Sequence, residues 1–409
     1  MALISFARHL QESKAGKLTH LQHLEDLMLD DGASGATFAL DVLKNFGHML
    51  EHGGVSRSMN VTTKWDGAPS VVFGPDPADH KFFVATKSAF AKNPKLMKSK
   101  AQINATYGSS GLGAKLQACL KELQPLHSKQ ILQGDLLFTD DIKSQTIDGK
   151  SYVTFRPNTI LYAVEANSNL GQQISRAHLG IVVHTMYSGR GSTIDSYTAS
   201  PITPGAFASL GKSGRAVVLD ASFDDLSGTV TFTNAEQSDF TLALSHVTAL
   251  QSQVASSVYE VMTHEPLHML VQMFINQRVR GNKVSASTVG ELMEFLATRR
   301  EKEAGKRGSE RGKTDQEAKF NVVMKQIRGN PRGFLNWFQL HQAVMNAKTI
   351  IVRKLAQVSR ISTFVPTASG FRVTGPEGFV ATSHGGKTIK LVDRLEFSRL
   401  NFLAPKDWQ

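Results

Sequence analysis

The hydrophobic period of this chain changes twice. From about residue 55 to 235, apolar residues fall in short runs separated by turn residues. From about Ser238 to Val358 they recur every three or four positions, and from 361 onward the short runs return. Short apolar runs bounded by turn chemistry read as strands, and the three-to-four spacing reads as amphipathic helix. Strands are expected at 71–73, 82–86, 131–138, 152–155, 160–164 and 181–186, with turns at Gly74-Pro75-Asp76-Pro77 and Asp148-Gly149. Two helices interrupt them, near 113–126 and 170–176. The stripe Leu242, Leu244, Val247, Leu250, Val254 and Val258 opens the helical stretch, and others follow at 267–275, 289–296, 320–327 and 334–358. Strands resume at 371–373, 378–382 and 388–392. Ahead of all this, Leu18, Leu21, Leu24, Leu27 and Leu29 form one helical stripe. Phe38, Leu40, Val42, Leu43, Phe46 and Leu50 form another. Gly32-Ala33-Ser34-Gly35 separates the two, Gly53-Gly54 ends the second, and both are expected to brace the sheet. The fold class is α+β: an antiparallel-sheet core with an all-α insertion and N-terminal helices. The expected division is 1–54, 55–235, 236–360 and 361–409.

Lys64-Trp65-Asp66-Gly67 is the stretch most suggestive of chemistry. An attacking lysine must lose its proton, which desolvation and neighbouring cations favour. Glycine allows a sharp turn beside a ligand. The same four residues could equally form a tight turn with a solvated lysine.

Further segments follow in order. Gln133-Gly134-Asp135-Leu136 breaks an apolar run with a Gly-acid pair. The run 179–187 reads as a buried strand holding His184 and Tyr187. Gly375-Pro376-Glu377-Gly378 precedes a strand, and Lys387 and Lys390 surround the last one. This order resembles the covalent nucleotidyltransferase superfamily of ATP-dependent DNA ligases, RNA ligases and mRNA capping enzymes. It also resembles proteins of large tailed bacteriophages. The first resemblance implies a nucleotidyltransferase (ATP-grasp-like ligase) core, and within it an ATP-dependent polynucleotide ligase. Its helical insertion, and the lack of room for an OB-fold after residue 390, favour RNA ligases over DNA ligases. Lys64 would attack the α-phosphate of ATP to form lysyl-AMP, AMP would pass to a 5′-phosphate, and a 3′-hydroxyl would displace it. The resemblance makes Lys64, Asp66, Glu377 and Lys390 the catalytic candidates. Gly67, Lys87, Asp135, His184, Lys387 and Lys390 would join Lys64 in holding the nucleotide. Asp135 and Glu377 would hold Mg2+ or Mn2+, hard cations that take oxygen ligands. His184 or Tyr187 would stack on adenine. Each residue also has an ordinary reading: Asp135 as a strand-end carboxylate, Glu377 in a Gly-Pro turn, the two lysines as solvated hairpin residues.

Composition narrows the partners. The chain has 409 residues, a formal net charge of +11 and a single cysteine, Cys119. Excess positive charge favours an acidic polymer, because each phosphate neutralised releases counterions. One cysteine allows no internal disulfide, as expected of cytoplasm, or host cytoplasm for a viral protein. No run approaches the ~18 apolar residues that span a bilayer, so no membrane partner and a monomeric state are expected. The alternatives are a DNA ligase, a capping or AMPylating enzyme, a non-catalytic nucleic-acid-binding protein with the same fold, and a virion component.

Three further motifs carry less. His264-Glu265-Pro266-Leu267-His268 has zinc-protease spacing, but Pro266 obstructs the continuous helix that two histidine ligands need. The glycine-rich stretch 108–115 lacks the Lys-Ser/Thr ending of a phosphate loop and reads as a helix-capping loop. The basic stretch 299–313, with Arg328, Arg332, Arg353, Lys354 and Arg360, reads as a solvated linker or a phosphate-contacting arm. Trp337 and Phe338 are placed either to stack on bases or to fill a core.

Overall fold

The structure, a computed structural model, describes residues 22–394 except 53–58, 66, 109, 159, 203, 212, 221–229, 265–266, 279–282, 305–308, 358–361, 368–369, 375–377 and 384–387. It is mixed α+β with largely antiparallel sheets. The described residues form two compact units. One takes residues between 62 and 225 and between 359 and 377. The other takes residues between 21 and 61, between 226 and 358, and from 378 onward. The first long helix shares a unit with the helices of the insertion, and the last strands divide between the units.

The first unit holds two sheets. Strands β3 (Ser70–Pro75), β4 (Phe82–Ala85), β5 (Ile131–Phe138), β9 (Leu179–Ser188) and β10 (Thr198–Pro201) are ordered β10-β9-β5-β3-β4, and β11 (Ala216–Asp220) adds parallel to β9. These are near-continuous apolar runs because both faces are covered. Val71, Phe73, Leu132, Leu136, Ile181 and Val183 pack against α2 (Lys100–Tyr107) and α3 (Gly111–Leu123) through Ile103, Leu116, Cys119 and Leu123. Ser99 and Ser110 cap these helices with their hydroxyls. The glycine-rich stretch therefore joins and caps two helices. The second sheet is antiparallel throughout, ordered β13 (Gly370–Thr374), β12 (Ser362–Thr367), β8 (Leu161–Glu165), β7 (Lys150–Phe155), β6 (Lys143–Ile147). Thus β12, which follows the helical stretch, pairs with β8, which precedes it. Leu137, Phe138 and Val182 of the first sheet pack with Val153, Phe155, Tyr162 and Val164 of the second. The helix α4 (Asn169–Arg176), capped by Ser168, lies along β7 and β8.

The second unit is mostly helical: α1 (Gly32–His52), α5 (Asn234–Gln253), α6 (Ser256–Thr263), α7 (Leu267–Arg278), α8 (Thr288–Ala304), α9 (Glu310–Gly329) and α10 (Pro331–Ala356). Gly32-Ala33-Ser34-Gly35, expected as a separator, is instead the first turn of α1. Gly35 packs where a Cβ would strike the Leu27 carbonyl. Thr233 and Glu236 form a reciprocal capping box at α5, and Asn330 caps α10 with Pro331 in its first turn. Such caps are each worth about 1 kcal/mol. Phe46, Phe240, Phe274, Phe334, Trp337, Phe338 and Ile351 fill the core. Trp337 and Phe338 are therefore core residues and take no part in stacking on a ligand. A small sheet, ordered β1 (Gln22–His23), β15 (Thr388–Leu391), β14 (Gly378–Ser383), β2 (Met59–Lys64), completes the unit. The last residues of β2 run on into the first unit.

Charged groups are buried beside this sheet. Lys348 is fully buried and donates to both carboxylate oxygens of Glu25, at 2.8 and 2.7 Å. Asp26 accepts from Arg394 at 2.8 Å and lies 3.0 Å from His341 Nε2. Burial alone would raise the Glu25 carboxyl, but the Lys348 ammonium and other nearby cations outweigh it and hold the group at about 2.

Candidate functional site

The Lys64 loop is fastened to β5. After Lys64 the chain buries Trp65 against Tyr162, their rings 5.4 Å apart. The Ala68 N–H then donates to the Leu136 carbonyl at 2.9 Å, and the Leu136 N–H donates to the Pro69 carbonyl at 3.0 Å. The Ala68–Pro69 peptide is cis. In β3, Ser70 pairs with Asp135. Gly67 sits so close that a Cβ there would lie 2.5 Å from Asp135 Cβ and 2.9 Å from the Asp135 carbonyl carbon. This position requires glycine because the backbone of one motif rests on the side chain of the next. Lys64 itself is partly exposed.

A bulge aims His184 at this point. Val183 pairs with Gly134 and Thr185 with Gln133, which leaves His184 as the extra residue of β9. Bulges re-aim side chains in this way. His184 Nε2 lies 3.5 Å from Asp135 Oδ1, and its Nδ1 is 2.8 Å from Thr185 Oγ1. The Asp135 and His184 side chains remain 27% and 30% exposed, accessible to a ligand. One ring nitrogen of His184 is hydrogen-bonded to Thr185 and the other faces the Asp135 carboxylate. Beneath them Gln133 donates to Ser70 Oγ at 2.8 Å and accepts from the Tyr187 hydroxyl at 2.6 Å. Tyr187 is buried and packs on Phe90 at 4.7 Å, so it serves as a floor and is closed to a nucleobase. Burial raises its hydroxyl pKa far above the usual value. Lys115, the last residue of the glycine-rich stretch, donates from α3 to the Ala68 carbonyl at 3.3 Å.

The structure thus brings Gly67, Asp135 and His184 together at the loop that Lys64 opens. Lys87 is exposed in a 3-10 turn after β4, where Thr86 caps the turn by accepting from the Ser88 N–H. Lys390 belongs to the second unit, where it is partly buried in β15 opposite His23. Asp66, Glu377 and Lys387 lie outside the described residues. Among the described residues no three potential metal ligands converge. Asp135 offers one carboxylate, which fits a magnesium-type cation held otherwise by substrate phosphates and water. For the zinc-type spacing, α6 ends at Thr263 and α7 begins at Leu267, so the two histidines share no helix. His268 pairs with Asp30 at 2.7 Å instead, while His264 Nδ1 meets the Glu260 carbonyl.

Fold and loop define a mixed α+β protein built largely on antiparallel sheets, with a polar cluster where a lysine-bearing loop crosses the central strand. The chain belongs to the DUF6267 family, a family of unknown function whose model matches residues 18–406. No curated protein and no solved structure matches it. No helix of the described residues is long and apolar enough to cross a membrane.

Proposed function

We propose that the chain is an ATP-dependent polynucleotide ligase, acting on RNA in preference to DNA, with Lys64 as its nucleophile. The observation that supports this reading is the seating of Gly67 on Asp135. Two motifs separated by sixty-odd residues, related in order to those of covalent nucleotidyltransferases, meet in one place. Lys64 Nζ would bond to the α-phosphorus of ATP, lose its proton, and displace pyrophosphate as the P–O bond breaks. Asp135 and His184 would orient the nucleotide beside the loop, and Lys115 would hold the loop through the Ala68 carbonyl. Lys87 would face phosphoryl oxygens, and Asp66 would orient the attacking amine. Asp135 and Glu377 would hold a magnesium or manganese ion, which when bound supplies charge neutralisation at the phosphates.

The test is self-labelling. Wild-type protein incubated with α-labelled ATP and magnesium, then run on a denaturing gel, should carry covalent label. Lys64→Ala should carry none. An unlabelled wild type, or full labelling of the variant, sinks the reading.

A further inference from the structure

Between Glu317 and Glu377 the chain has no aspartate or glutamate, yet it has nine lysines and arginines. The second unit treats these cations in two ways. The buried ones are neutralised by carboxylates from elsewhere in the unit: Lys348 by Glu25 and Lys354 by Glu236, both at 2.7 Å. The exposed ones are not. Lys319, Lys325 and Arg328 on α9, and Arg332 at the start of α10, are exposed and carry no ion pair among the described residues.

Helical geometry gathers them. At 100° per residue, the exposed arc of α9 centres on Val322 and Lys325, with Lys319 and Arg328 on its two flanks. Successive members three residues apart lie about 5–6 Å apart at Cβ. Val322 is 59% exposed in their midst, an unusual place for an apolar side chain. At the edge of this face Arg300 reaches from α8 to Asn321 at 3.5 Å. A solvated helix face ordinarily interleaves both signs of charge at these spacings. On α9 the acids Glu310, Asp315 and Glu317 all fall in the first half, and from Lys319 onward one sign repeats on a stretch anchored in the core by Phe320 and Ile327.

We infer that the exposed face of α9, continued by Arg332, is a docking surface for the phosphate backbone of a single nucleic-acid strand. Flexible cations meet successive phosphates, and Val322 gives a sugar or base edge an apolar contact. The inference rests on charge in the second unit alone and does not depend on Lys64.

Binding of a short labelled single-stranded RNA across a salt series tests it. For Lys319→Ala/Lys325→Ala/Arg328→Ala, the slope of log K against log salt should become shallower by about 2, and affinity at low salt should fall at least about tenfold. An equal loss for DNA of the same sequence supports a backbone contact. Lys129→Ala/Lys143→Ala/Arg176→Ala removes the same charge from exposed positions of the first unit and should bind as wild type does. Equal losses in both variants, no binding by wild type, or a loss confined to anionic lipid vesicles would overturn the inference. Circular dichroism and melting show that each variant is folded. A wild type that fails to self-label but keeps its salt-dependent grip on RNA would remove the ligase reading and leave this one standing.

Discussion

At Gly67 a single methyl group would collide with Asp135, because the required space is already occupied by that residue's Cβ and carbonyl carbon. Gly67→Ala should therefore push the loop off β5. The expected result is a loss of about 1–3 kcal/mol in stability and a fall of about a hundredfold in the rate of Lys64 labelling. Thermal melting and gel time courses measure the two separately. The lysine, the glycine and the acid in β5 are legible in the sequence, since each sits in a short motif between apolar runs. The setting of His184 is not. Its position alone places it on a strand, but its direction comes from a bulge, and a bulge arises from the register between two strands far apart in sequence. Lys115 is hidden for the same reason: its partner, Ala68, lies 47 residues away.

Among the elements, strands with dense apolar runs were readable, and β3, β5, β9, β14 and β15 lie where expected. The short helix α2 was not, since Ile103 is its one buried residue and it leaves almost no periodic signal. The glycines at the opening of α1 suggest a break in the sequence, yet Gly35 is needed there for close packing against the Leu27 carbonyl of the preceding turn. Helix α10 is the organising element of the second unit, and its fully buried Lys348 carries a specific liability. Lys348→Met leaves the buried Glu25 with only the more distant Arg394, 3.6 Å away, as a charged partner and should cost about 3 kcal/mol. Adding Glu25→Gln should recover much of that. Chemical denaturation followed by circular dichroism at helix wavelengths checks both variants.

For the molecule as a whole, acid should act first on the second unit. Burial lowers the His23 imidazole to about 3 against the attraction of Glu25, with Lys348, Lys390 and Arg394 adding to the effect. An unfolded histidine titrates near 6.5. Between these values the unfolded chain binds the extra proton, so stability is full above about pH 6.5 and falls as pH drops towards 3, by up to about 1.4 kcal/mol per pH unit. Glu25, held at about 2, adds a second loss below its unfolded value of 4.5. Denaturation midpoints taken from neutral to acid pH should show this decline, and His23→Gln should flatten its upper part. None of this was visible in the sequence, where His23, Glu25 and Lys348 look like surface residues. The excess of positive charge and the basic residues 299–313, Arg328 and Arg332 are legible, and the exposure of Lys319, Lys325 and Arg328 on one face of α9 is not. Nor was the division into units, because each draws on separated stretches of chain. That interleaving has a consequence for synthesis. After residue 61 the polypeptide alternates between the two units at 225, 358 and 377. A growing chain can complete neither of them in turn, since β12 and β13 are withheld from one, and β14, β15 and Arg394 from the other, until residues 362–394 have been made.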